Sequence, residues 1–126
     1  MLGYVSLGTN DFARATAFYE ELLSLVGAKR VWEDETFIAW SNSAAGGLAI
    51  AKPFDGEPAT VGNGVMAAIA APDRATVDKI YAKAIELGAK DEGGPGPRGG
   101  DDSTFYAAYF RDLDGNKLNA FFMGPA

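Results

Sequence analysis

The chain contains neither cysteine nor histidine. Without cysteine there are no disulfides, zinc thiolates or thiol nucleophiles, and no thiol usage from which to judge the redox compartment. Without histidine, the Ser-His-Asp triad, the imidazole general base and every His-ligated metal site are excluded. Positive charge is scarce: eleven Lys and Arg face seventeen Asp and Glu, a net charge of −6. Phosphate neutralisation needs clustered basic residues, so no nucleic-acid partner is expected. Long apolar runs are missing as well. The longest, Val65 to Ala71, is far short of the roughly 20 residues a helix needs to span a bilayer, so no membrane partner is expected. The opening MLGYVSLGTND lacks a basic region followed by an apolar one, and no signal peptide is visible. The expected location is cytoplasmic.

What is present suits a globular chain. At 126 residues, 48% apolar and 22% charged, it can bury a core as one domain, or as two small halves sharing one core. Residues 3–8 alternate as a half-buried strand does. Thr9-Asn10-Asp11 offers capping oxygens and a negative charge to a helix start. From Phe12 to Val26, Phe18, Tyr19, Leu22, Leu23 and Val26 recur at three- and four-residue steps, an amphipathic helix that Gly27 ends. Short strands are expected at about 29–33, 36–41 and 46–52, with Ser41 to Gly47 turning between the last two. Residues 53–64, with two prolines and three glycines, read as a connector.

The pattern then restarts. Val65–Ala70 reads as a strand, and Pro72-Asp73 as a helix start. Val77, Ile80, Tyr81, Ala84 and Leu87 form a buried stripe, and Gly88 ends the helix. Strands follow near 89–92, at 104–111 and at 116–123, with the loop GGPGPRGGDDS after the first and an Asp-Gly turn at 112–116 before the last. Arg14-Ala15-Thr16 is echoed by Arg74-Ala75-Thr76, and Gly27-Ala28-Lys29 by Gly88-Ala89-Lys90. A duplicated βαβββ unit follows: an α+β fold of two pseudo-symmetric modules, about 1–56 and 64–126, joined by a linker at about 53–63. Two such modules make a curved mixed sheet around a cleft, with the helices outside.

Few constellations carry chemistry. Asp112-x-Asp114-x-Asn116 resembles the start of a calcium loop, but the sixth and twelfth places hold Lys117 and Met123 where glycine and a bidentate acid are needed. It reads as a turn. Gly94-x-Gly96-x-x-Gly99 matches a dinucleotide fingerprint as a string, yet Pro95 and Pro97 remove two donors and a strand pattern follows instead of a helix. Arg98 in that loop either pairs with Asp101 or Asp102 at the surface, or grips a carboxylate or phosphate at the cleft rim. Among the aromatics Trp32, Phe37, Trp40, Phe105, Tyr106, Tyr109, Phe121 and Phe122, those facing inward would give an apolar pocket suited to a flat or hydrophobic small molecule.

Three stretches, MLGYVSLGTNDFARATAFYEELL, VMAAIAAPDRATVDKIYAKAIELGAK and GPGPRGGDDSTFYAAYFRDLDGNKLNAFF, resemble the vicinal oxygen chelate superfamily, which includes glyoxalase I, extradiol dioxygenases and bleomycin-resistance-type binding proteins. The resemblance implies paired βαβββ modules, often in a homodimer, with the active cleft inside the curved sheet. It also implies metal-ligand positions on the first strand of each module and on the last strands. These fall on Tyr4, Met66 and Asn119, and near Ala49 or Ile50. A hard divalent ion wants carboxylate or imidazole, so no metal and no cofactor are expected. If Tyr4 occupies a ligand position, strand alternation turns Ser6 into the cleft with it, and likewise Met66 with Ala68, and Lys117 and Asn119 with Phe121. Phe122 then faces the helices. The expected ligand-binding set is Tyr4, Ser6, Met66, Ala68, Arg98, Tyr106, Asn119 and Phe121. The expected function is metal-free binding of a small apolar or aromatic molecule. The alternative is a glyoxalase-like lyase, isomerase or dioxygenase with an atypical or lost metal site, using Tyr4, Tyr106 or Glu33 for acid–base work.

Overall fold

Two helix caps, sixty-two positions apart, set the architecture. Asp11 accepts a hydrogen bond from the Arg14 backbone N–H and opens α1 (Phe12–Ser24); Asp73 accepts from that of Thr76 and opens α2 (Arg74–Glu86). Each carboxylate satisfies a donor that the first helical turn leaves free. The ends repeat too. Gly27 and Gly88 adopt φ of 73° and 103°, and the next residue's N–H reaches back to close the helix, Ala28 to the Leu23 carbonyl and Ala89 to that of Ala84. Helix α1 thus stops two residues short of the expected Val26, because Leu25 to Gly27 form the closing turn.

In the computed structural model, which describes residues 1–42 and 46–126, each helix covers one four-stranded mixed sheet. The first sheet holds β1 (Val5–Gly8), β2 (Lys29–Glu33), β3 (Phe37–Ser41) and β4 (Gly47–Ala51), in spatial order β1-β4-β3-β2. The second holds β5 (Ala67–Ala70), β6 (Lys90–Pro97), β7 (Phe105–Arg111) and β8 (Lys117–Met123), in order β5-β8-β7-β6. In both, the strand before the helix pairs in parallel with the module's last strand, and the other pairings are antiparallel. The βαβββ duplication is therefore present in full. The turn expected at 41–47 lies partly outside the described residues.

The strand β5 begins at Ala67, two residues after the expected Val65, and the largest difference from expectation is in the strand after α2. The strand expected near 89–92 continues to Pro97 as β6, through residues read as loop. Its pairing with β7 slips between Asp91 and Gly93 and again between Gly93 and Gly96. β6 is an edge strand, so prolines need no outward donor there, and glycines absorb the slips; Gly93 sits at φ 142°.

One core runs beneath both helices. Phe18, Tyr19, Leu22, Ile38, Trp40 and Ile50 fill it in the first module, and Val77, Ile80, Ala84, Phe110 and Leu118 in the second. The turn after β7 fastens the modules together. Asp112, buried, accepts from the backbone N–H groups of Asp114 and Asn116, from Asn116 Nδ2 and from Tyr19 Oη of the other module. Asn116 Nδ2 also donates to the Gly8 carbonyl, and Asn10 N–H to Asp114 Oδ1. The residues that resemble a calcium loop are thus spent on a module joint.

Candidate functional site

Strand alternation sorts every sheet residue onto the helix side or the opposite, open face. On β1, Val5 and Leu7 join the core, which turns Tyr4 and Ser6 to the open face. On β8, Leu118, Ala120 and Phe122 pack beneath α2, leaving Lys117, Asn119 and Phe121 on the open face. The pairings Ser6 with Ala49 and Ala68 with Asn119 make Ala49 and Asn119 equivalent positions of the two modules. Both Ala49 and Ile50 are buried, but only Ile50 belongs to the core under the helices.

Tyr4, Met66 and Ala68 line one cavity of about 500 Å³ together with Leu2, Val5 and Trp40, at the junction of the modules. Tyr4 is also part of a second hollow of about 660 Å³ on the open face of the first sheet, walled by Trp32, Phe37 and Ala39. Phe37 continues into a third, of about 750 Å³, where Ser6 lies with Phe54 and Pro58 of the connector. Tyr4 and Trp32 are 60% and 61% exposed, large apolar rings without cover. Tyr4 meets Phe37 edge to face, with centroids 5.8 Å apart. Asn119 stands beside Ala68 and Tyr109 in the second sheet, and Phe121 packs near Phe105 at 5.9 Å. Asn119 is buried, and its Oδ1 has no hydrogen-bond partner among the described residues.

Two residues of the expected set behave differently. Tyr106 lies on the helix side with Ala108 and Phe110, and its Oη donates to Asp78 of α2. It is not brought to the open face. The bond to Asp78, and then burial, push its phenol above the usual tyrosine range, so it stays protonated and is no ready general base. Arg98 makes no ion pair with Asp101 or Asp102. It donates from Nη1 to the Gly96 carbonyl and from Nη2 to that of Gly94, and lies over the Tyr109 ring at 5.3 Å. Glu33, the third acid–base candidate, is tied to Arg30 at 2.8 Å.

The positions at which the resemblance puts metal ligands, Tyr4, Met66, Asn119 and Ala49 or Ile50, hold a phenol, a thioether, an amide and an aliphatic side chain. Among the described residues no three His, Cys, Asp or Glu side chains are grouped as ligands would be. This donor set does not fit a hard divalent ion. Two contributors to the open face carried only a generic signal in the sequence. Tyr109 read simply as one strand aromatic among several, and Lys117 as an inward position without a partner; the register brings both beside Asn119.

A family model described as "Glyoxalase/Bleomycin resistance protein/Dioxygenase superfamily" matches residues 1–120. Among solved structures, a glyoxalase/bleomycin resistance protein from Albidiferax ferrireducens T118 is similar with 34% identity and a TM-score of 0.87, over 97% of this chain and 98% of that one. A glyoxalase/bleomycin resistance protein/dioxygenase family enzyme from Burkholderia phytofirmans PsJN shares the fold at 17% identity and a TM-score of 0.73, over 96% and 97% of the two chains. A lactoylglutathione lyase from Agrobacterium tumefaciens does so at 20% and 0.67, over 97% and 92%. No curated protein matches the chain.

Proposed function

The chain belongs to the glyoxalase/bleomycin resistance protein/dioxygenase superfamily, and from that membership we propose a metal-free binding domain that holds a small apolar or aromatic molecule against the open sheet faces. The observation that carries this is the aromatic wall of Tyr4, Trp32 and Phe37 on the open face of the first sheet, where Tyr4 and Trp32 are largely exposed. Apolar surface removed from water stabilises a complex by roughly 25 cal/mol per Å², and ring faces add stacking geometry. The buried Asn119 Oδ1 adds an acceptor awaiting a donor. The acid–base alternative finds Tyr106 bound to Asp78 and Glu33 bound to Arg30.

We also infer a homodimer. Leu2, Tyr4, Val31, Trp32, Val65 and Met66 are all exposed, and β2 and β6 are sheet edges, apolar and edge surface that a second copy of the chain would cover.

Phenylnaphthylamine, an uncharged aromatic dye that fluoresces when shielded from water, tests the binding reading. Saturable binding is expected, with Trp32→Ala lowering affinity about tenfold while near-UV circular dichroism of the buried Trp40 is kept. Failure of the folded protein to bind the dye saturably would overturn it.

A further inference from the structure

The open face of the second sheet is a grid that can be read off the strand register. Lys90, Arg111 and Lys117 stand directly opposite one another on three neighbouring strands. The next row holds Gly93, Tyr109, Asn119 and Ala68, and the row after it Gly96, Ala107, Phe121 and Ala70. Like charges placed directly opposite on a sheet repel, and this chain has few positive charges to spend. One carboxylate answers the row: Glu92 accepts from Arg111 Nε, and that bond first, then the attraction of Arg111, Lys117 and Lys90, holds its carboxyl below the usual range. Lys117 and Arg98 make no ion pair among the described residues, and both lie against one ring, 5.6 Å and 5.3 Å from the Tyr109 centroid.

Arg98 is seated by its neighbours. A Cβ at Gly93 would come within 3.2 Å of Nη2, and one at Gly96 within 3.3 Å of Nη1. The bare glycine backbone, and the two carbonyls that accept from the guanidinium, hold a cation over the ring without neutralising it. Beyond the ring, the face turns apolar through Phe121, Phe105 and Ala107.

We propose that this face of the second sheet binds an organic anion: a flat apolar body with one anionic group, the anion met by Lys117 and Arg98 around the Tyr109 ring and the body laid toward Phe121. Asn119, in the same row as Tyr109, supplies the one acceptor. Charge-assisted bonds to Lys and Arg select the anion, while a neutral analogue keeps only apolar burial. This goes beyond the apolar-binding reading, whose Tyr4, Trp32 and Phe37 wall lies on the first sheet.

The test compares anilinonaphthalene sulfonate with phenylnaphthylamine, its parent without the sulfonate, on the full chain. The anionic dye is expected to bind about tenfold tighter than the neutral one, an advantage lost near 1 M salt. Lys117→Gln and Arg98→Gln should each remove most of that advantage and leave the neutral dye within about twofold. Lys79→Gln, which removes the same charge from the exposed side of α2, should change neither. Equal binding of the two dyes, or an equal loss in the Lys79 variant, overturns the anion site and leaves the apolar reading standing. Binding of neither dye overturns both.

Discussion

Tyr19 and Asp112 are 93 positions apart in sequence and 2.6 Å apart in space. Asp112 accepts four hydrogen bonds in a buried turn, so its charge is held by donors and not by a cation. Removing the phenol leaves one carboxylate oxygen with only Asn116 Nδ2 as donor. Tyr19→Phe should therefore cost about 1–3 kcal/mol at neutral pH, since a hydrogen bond to a buried charge is lost. The pH dependence separates this from a packing loss. Burial first, and then the Asp112 charge, raise the folded-state phenol well above its ordinary value. The contribution is complete below the unfolded value of about 10 and falls as pH rises past it, because the unfolded chain then releases a proton that the folded chain retains. Urea unfolding between about pH 9 and 11 should show the wild-type advantage over Tyr19→Phe shrinking. A gap constant with pH would contradict the assignment.

At the scale of elements, the helices and most strands were legible because their signals are local. Caps, terminal glycines and three- and four-residue apolar spacing act within one element, and both copies of the repeat carry them. The strand β7 was harder. Its sequence FYAAYF places aromatics and alanines on both faces, so alternation could not say that Tyr106 faces α2 while Tyr109 faces away. The strand β6 was illegible for a different reason: GGPGP has neither alternation nor β-branched residues, and only pairing along one edge keeps it extended. For β8 the phase came from the resemblance, which put Asn119 at a ligand position; in the structure Leu118, Ala120 and Phe122 join the core side. Its two faces should respond differently to mutation. Phe122→Ala, on the helix side, should lower stability by roughly 2–4 kcal/mol with little change in dye affinity per folded molecule. Asn119→Leu removes a buried acceptor that lacks a donor, so stability should hold or rise while binding of a dye bearing an N–H group weakens. Paired thermal melts and dye titrations check this; a stability loss in Asn119→Leu matching that of Phe122→Ala would contradict the register reading.

At the scale of the whole molecule, the candidate site was only partly legible. The lack of histidine could be read directly, since it is visible without any structure. The cation shelf could not: Lys90, Arg111 and Lys117 lie on three strands that only the register of β6, β7 and β8 brings into one row, and Arg98, just past β6, joins them only through the Tyr109 ring. The central claim is that this fold has exchanged metal for an apolar, ring-lined cleft, completed by a second copy of the chain. Native mass spectrometry of protein purified without added ligand tests it most directly. The expected spectrum shows twice the chain mass of 13.2 kDa, with any adduct organic and lost on gentle activation. A monomer spectrum, or close to one transition metal per chain that disappears in Asn119→Ala, would contradict it.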